Sequence, residues 1–205
     1  MAAGQDATTD RDVASVLHKR AQALVRSPDR LAVREIAEQV MALQEGTIGS
    51  AGETDDELAG MLLRLRSWAL YYLTMLGDSA MQAILVGEPV TAESALLLGP
   101  DHPDTLSAQN NLALAYQQKG RAAEALALFE RALAGRERVL GVDHPDTLSS
   151  QSNLAIAYQE AGRFAEALAL FEQTLAACAR VLGPDHPKTL ISRANLASAY
   201  RDAGL

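Results

Sequence analysis

Over its second half the chain repeats itself every 42 residues, and no other feature limits its fold as tightly. Residues 98–139 read LGPDHPDTLSAQNNLALAYQQKGRAAEALALFERALAGRERV and residues 140–181 read LGVDHPDTLSSQSNLAIAYQEAGRFAEALALFEQTLAACARV, with 30 identities in the 42 aligned positions. A third copy, LGPDHPKTLISRANLASAYRDAGL, fills 182–205, and His102, His144 and His186 mark the period. A period of a few tens of residues means that each copy is one supersecondary unit, unable to bury its apolar faces alone. Neighbouring copies must therefore stack.

Each copy holds two helical patterns. In the first copy a helix is expected over about 103–119, with Leu106, Leu112, Ala113 and Tyr116 close to one apolar stripe. Gly120 follows, where a helix C-terminus calls for a residue that accepts positive φ. A second helix is expected over about 122–139, burying Ala125, Leu126, Phe129, Leu133 and Val139. Small Ala113 and Ala125 let the two axes approach, and Tyr116 and Phe129 fill the space beside them. Composition agrees: Ala and Leu recur, and aromatic residues make up only 4% of a chain that is 48% hydrophobic. That balance favours helices over strands.

The residues N-L-A-x-x-Y, then G-R, then E-A-L-x-L-F-E-x-x-L, resemble the tetratricopeptide repeat. The 42-residue spacing and the linker L-G-x-D-H-P-D-T-L resemble the long variety found in kinesin light chain and in many bacterial repeat proteins. The resemblance implies an all-α fold, a right-handed superhelical solenoid of antiparallel helix hairpins. It implies protein-protein interaction rather than catalysis, and by itself it names no partner.

The organisation expected from this reading is a disordered tail at 1–10, an N-terminal helix pair and linker at 11–55, and a degenerate helical repeat at 56–97. Two full repeats follow at 98–139 and 140–181, then a half repeat with a C-terminal helix at 182–205. The first pair is expected as helices over 12–26 and 29–43, with 46–54 as a flexible connector; its role as a cap or as one more turn of the array stays open. In the degenerate copy Leu62, Leu63, Trp68, Ala69 and Leu73 precede Gly77-Asp78, which stands where Gly120-Arg121 stands later. Pro89 falls inside the following helix, over about 79–95. Proline there costs about 3 kcal/mol, so a kink or break is expected near Gly87 to Pro89. The last helix, about 187–203, keeps Leu190, Ile191, Leu196 and Tyr200 without a hairpin partner. It is expected to cap the array, to continue into a longer one, or to offer its edge for self-association.

The net charge of −8 gives no electrostatic footprint for nucleic acid and would be repelled by an anionic membrane surface. The most apolar stretch, 61–86, is interrupted by Arg64, Arg66 and Asp78, and residues 1–10 carry neither a basic nor an apolar signal region. The single cysteine, Cys178, suits a reducing compartment, and a cytoplasmic location is expected.

The thrice-repeated Asp-His-Pro (Asp101/His102, Asp143/His144, Asp185/His186) has the side chains of a metal site. These pairs fall on successive loops, roughly 10 Å apart in stacked helices, whereas one ion needs its ligands within about 2–2.6 Å. Capping is the better reading: the Asp caps the helix, Pro opens its first turn and Asp104 faces the dipole. No metal and no cofactor is expected. Cys178 lies among Ala176, Ala177 and Ala179 with no catalytic context. Glu124/Glu130 and Glu166/Glu172 are expected on exposed or inter-repeat faces. An enzymatic pocket at Trp68, Tyr71 and Tyr72 competes poorly with a core role at helical spacing.

The groove remains. The resemblance implies that the first helix of each repeat lines the concave surface. Counting from the motif, the inward residues of the first copy are Ser107, Asn110, Asn111, Leu114, Gln117 and Gln118. In the second they are Ser149, Ser152, Asn153, Ile156, Gln159 and Glu160, and in the third Ile191, Ala194, Asn195, Ser198, Arg201 and Asp202. Asn111, Asn153 and Asn195 recur at one place. An amide both donates and accepts, so such a ladder either grips an extended peptide backbone or ties one repeat to the next. Of these, Asn110, Asn111, Leu114, Gln117, Gln118, Ser152, Asn153, Ile156, Gln159, Asn195 and Arg201 form the candidate binding groove. Family members that clamp a C-terminal carboxylate place Lys or Arg on this face, where this chain has only Arg193 and Arg201 as obvious cations. A protein or peptide partner, held by backbone contacts and a few apolar anchors, is expected. The alternative is a regulatory or sensor arm of a larger signalling system, with an ATPase or transcription regulator as its partner.

Overall fold

The sequence folds into helices joined by short turns, and a computed structural model describes residues 12–21, 29–47, 56–77 and 79–205. Helix α1 covers 12–21, followed by α2 (Arg30–Thr47), α3 (Asp56–Leu76) and α4 (Ala80–Leu97). The repeats supply α5 (Pro103–Gln118), α6 (Ala122–Leu140), α7 (Pro145–Glu160), α8 (Phe164–Leu182) and α9 (Pro187–Asp202). No strand occurs among the described residues, and none of their helices is long and apolar enough to cross a membrane. The expected tail at 1–10 and most of the expected connector lie outside the described residues; its first two residues, Gly46 and Thr47, belong to α2.

The chain divides between Gly99 and Pro100 into two compact units. In the first, α1, α2 and α3 share a core of Ala14, Leu17, Ile36, Val40, Leu62 and Leu65, with Trp68 packed against it. Arg34 Nε donates to Ser79 Oγ at 3.1 Å, tying α2 to the turn before α4. Arg66, read from sequence as an interruption of an apolar run, is buried and paired with Glu93 of α4. Tyr71, expected in the core, is exposed.

Helix α4 runs on through Pro89, so the break that proline could have caused near Gly87 does not occur. Its residues Ala83, Ile84, Val86, Gly87 and Val90 are buried on both sides of the proline. Packing on this scale offsets one lost hydrogen bond, at roughly 1.5–3 kcal/mol for each large apolar side chain buried. Beyond the proline, Ser94 Oγ donates to the Val90 carbonyl at 2.7 Å.

In the second unit each helix packs on the next: α5 on α6, α6 on α7, α7 on α8 and α8 on α9. The hairpin turn is set by glycine. Gly120 has φ of 72° and Gly162 has φ of 74°. In each case the N–H just past the glycine reaches back: Arg121 to the Tyr116 carbonyl (2.9 Å) and Arg163 to the Tyr158 carbonyl (2.8 Å). This is the Schellman closure, which satisfies the orphan carbonyls of the last turn. The guanidinium of Arg121 then covers the Tyr116 ring at 4.3 Å, and Arg163 covers Tyr158 at 4.2 Å. Core positions follow the expected stripe, with Leu106, Leu112, Ala113, Tyr116, Ala125, Phe129 and Leu133 buried and Leu126 half-buried. Val139 is the exception at 47% exposed; the buried side of α6 ends instead on Gly135 and Arg136.

The cap is a histidine and not the expected aspartate. His102 Nδ1 accepts from the Asp104 N–H at 3.2 Å, His144 from Asp146 at 3.1 Å and His186 from Lys188 at 3.2 Å. Proline at the next position has no N–H to satisfy, so the acceptor directly before it reaches the second helical residue. The displaced aspartates brace the hairpins. Asp101 takes both arms of Arg138 (2.5 and 3.3 Å), and Asp143 both arms of Arg180 (2.5 and 2.9 Å).

Candidate functional site

Within the second unit, α5, α7 and α9 are the first helices of successive repeats, and a row of polar side chains links them. Asn153 Nδ2 donates to Asn110 Oδ1 at 3.1 Å. Gln117 Nε2 donates to Glu160 Oε2 at 2.6 Å, and Gln159 Nε2 to Asp202 Oδ2 at 2.5 Å. Each partner stands 43 residues away, one period plus one residue. The stagger between neighbouring helices thus pairs Asn153 with Asn110, one place from the asparagine that the period aligns with it.

Apolar Leu114 and Ile156 lie half-buried in the same row, as do Asn111, Ser152 and Asn195; Gln118 and Arg201 are exposed. Ser152 Oγ is turned onto its own helix, donating to the Leu148 carbonyl at 3.1 Å. Arg201 donates to Ser198 Oγ at 3.1 Å. Ile191, expected inward, is 59% exposed. The row is therefore a partly engaged polar strip. An amide that gives one N–H to a neighbour keeps a second N–H and a carbonyl lone pair for a ligand.

Two contributors escaped sequence reasoning. Lys188 of α9 reaches back to the Pro145 carbonyl (3.4 Å) and Ser149 Oγ (3.2 Å) of α7. Arg136 of α6 is buried, donating to Ser107 Oγ at 3.2 Å and the Asp146 carbonyl at 3.3 Å, and also to Ser150. Burial lowers its pKa, opposed by the charge of Asp146. The available signal was one of several differences between the copies along this helix, since Cys178 occupies the matching place in the second one. There Ser192 Oγ lies 3.7 Å from the buried Cys178 Sγ.

The edges between second helices and the following first helices carry tyrosine. Tyr158 donates to Glu130 at 2.8 Å, and Tyr200 donates to Glu172. Burial, then the Glu130 hydrogen bond, raises the Tyr158 pKa. A cavity of about 250 Å³ lies elsewhere, lined by Val142, Asp143, Gln151, Gln173, Ala176, Ala177 and Arg180, and includes none of the candidate groove residues. Among the described residues no cluster of three or more His, Cys, Asp or Glu could hold a metal ion. The Asp-His-Pro turns are already committed, the imidazole to a cap and two of the aspartates to arginine.

Helix hairpins stacked in register, with a recurring polar strip along their first helices, define a helical-repeat protein. The tetratricopeptide repeat model matches residues 92–138, 104–178 and 146–205, which together exceed half of the sequence. The chain belongs to the tetratricopeptide repeat family, generally a protein-protein interaction module and typically a non-catalytic scaffold. Among solved structures it is similar to a putative kinesin light chain of Podosopora anserina with nearly identical TPR-like repeats. That match has 30% identity and a TM-score of 0.74, covering 93% of this chain and 88% of that one. A point variant of the same protein matches at 29% identity and TM-score 0.75, with the same coverage. BtubC (BKLC) of P. vanneervenii shares the fold at 20% identity and TM-score 0.61, covering 96% of this chain and 84% of that one. A comparison with curated protein sequences finds no significant match.

Proposed function

We propose that the strip on α5, α7 and α9 binds an extended segment of a partner protein, and that the chain acts as a non-catalytic scaffold in the cytoplasm. The observation that carries this reading is the mixture within one row. Side-chain amides with spare donors and acceptors (Asn110, Asn153, Gln117, Gln159) alternate with half-buried apolar Leu114 and Ile156. Amides suit a peptide backbone whatever its side chains, and the two apolar residues suit one or two anchors. Asn111, Ser152 and Asn195 of the same row, with the exposed Gln118 and Arg201, complete the proposed groove.

The groove is short, and ordering an extended peptide offsets much of the contact energy, so a Kd on the order of micromolar is expected. Selection of peptides from a displayed random library on the 205-residue protein tests the reading. Enriched peptides should lose binding to the Leu114→Glu/Ile156→Glu variant. Enrichment of the same peptides by the variant would contradict it.

A further inference from the structure

The cavity beside the Asp143–Arg180 brace belongs to one hairpin. Its walls come from α7, from α8 and from the turn that leads into α7, and its volume is about 250 Å³. Helix α9 contributes no residue to it, and neither does the polar strip. Such a volume holds roughly eight waters at about 30 Å³ each, or a ligand of about six to eight non-hydrogen atoms.

Gln151 lines this cavity although it is only 2% exposed. One end of its amide is held, because the Thr174 hydroxyl is shared between the Leu170 carbonyl (2.7 Å) and Gln151 Oε1 (3.3 Å). The other end, Nε2, donates to no group among the described residues, yet it is not among the polar atoms sealed away without a partner. It therefore opens on the cavity, and a nearly buried amide with an unmet donor favours any acceptor that reaches it. The arrangement is particular to this repeat. In the first copy Ala132 stands in place of Thr174, and Gln109 Oε1 is buried with no donor to hold it. Arg131 there puts a charge where Gln173 is neutral.

The remaining groups define what the cavity accepts. Val142, Ala176 and Ala177 give it apolar walls. Asp143 and Arg180 already pair with each other, so an ionic ligand would meet no unpaired counter-charge to offset its desolvation. Each Asp143 oxygen accepts one arginine N–H and keeps a further lone pair. A free amide donor and a carboxylate acceptor in one small, mostly apolar space match a group that accepts and donates from a single plane.

We propose that this cavity binds a small neutral molecule carrying a primary carboxamide on a short branched hydrocarbon. The ligand carbonyl accepts from Gln151 Nε2, its N–H2 group donates to Asp143, and the hydrocarbon lies against Val142, Ala176 and Ala177. Thr174 is a positioning residue, anchoring the Gln151 amide so that Nε2 meets the ligand. The proposal is independent of the peptide strip.

The test titrates the 205-residue protein, isotopically labelled for amide NMR, with isobutyramide and separately with isopropyl methyl ketone. The ketone has the same shape and carbonyl but lacks the N–H2 group. Isobutyramide should saturably shift the Gln151 side-chain N–H2 signals and the backbone amides of Val142, Ala176 and Ala177, with a Kd of about 1–30 mM for so small a ligand. The ketone should bind about fivefold or more weakly. Gln151→Met, which keeps the side-chain length, should abolish the saturable shifts at unchanged circular dichroism. Thr174→Val should weaken binding by about three- to tenfold, and Thr174→Ser should restore it. Absence of saturable shifts at Gln151, equal affinity for amide and ketone, or shifts that persist in Gln151→Met would overturn the proposal. So would saturation confined to Asn111 and Asn153, which gives the amide to the strip instead. If Gln151→Met fails to fold, the comparison of amide and ketone on the wild-type protein decides alone.

Discussion

Asn153 of α7 and Asn110 of α5 join neighbouring repeats through one side-chain hydrogen bond of 3.1 Å, from Nδ2 to Oδ1. Asn110 is buried and Asn153 half-buried, so water competes weakly for the bond. A double-mutant cycle with Asn110→Ala and Asn153→Ala should give a coupling of about 0.5–1.5 kcal/mol in denaturant unfolding. A coupling indistinguishable from zero would mean that the two amides act separately.

Gly135 should tolerate no branched side chain, because a Cβ there already meets Leu106 at 2.3 Å and Leu106 is buried. Gly135→Val should destabilise the protein by about 1–3 kcal/mol through overpacking. The matching Ala177→Gly change in the next repeat removes only a methyl group, and costs about 1 kcal/mol from helix propensity. Urea midpoints of the two variants should rank in that order.

Phe171 is fully buried among Ala155, Ala167 and Ala199, so it holds α7, α8 and α9 together. Phe171→Ala leaves a cavity at a three-helix junction and should cost about 3–5 kcal/mol. Hydrogen exchange should then accelerate in α9 as well as in α8. Acceleration confined to α8 would contradict the shared core.

Acid should weaken the Asp143–Arg180 brace. The hydrogen bond from Arg180 holds the Asp143 pKa below its ordinary 3.8. A carboxylate with a depressed folded pKa contributes stability above its unfolded pKa and loses it as pH falls through the folded value. Wild type should therefore melt above Asp143→Asn at neutral pH, and the gap should close as pH drops below 3.8. Salt should narrow the gap as well, because both side chains are solvent-accessible. A gap of constant size down to about pH 2 would contradict this brace.

Most of the second unit was legible because its signals are local or periodic. The 42-residue period dictates stacking, and Gly120 and Gly162 fix the turns by their positive φ. What sequence misses depends on register between elements. Whether Asp101 or His102 caps α5 turns on which acceptor the backbone aims at the Asp104 N–H, and both are adjacent and polar. Asn153 meets Asn110 rather than the aligned Asn111 because of a one-residue stagger between helices, about 1.5 Å of rise. Pro89 looked like a break because its local cost is visible in the sequence, whereas the burial of Val86 and Val90 that offsets it is not.

The central claim is that the polar strip along α5 and α7 receives an extended peptide. The most direct measurement is the affinity of a selected peptide, by fluorescence anisotropy, for wild type and for the Asn111→Ala/Asn153→Ala variant, with circular dichroism as the control for fold. The strip predicts a loss of about 1 kcal/mol or more per asparagine, roughly fivefold each in Kd, at unchanged helicity. Equal affinity for the two proteins would contradict it.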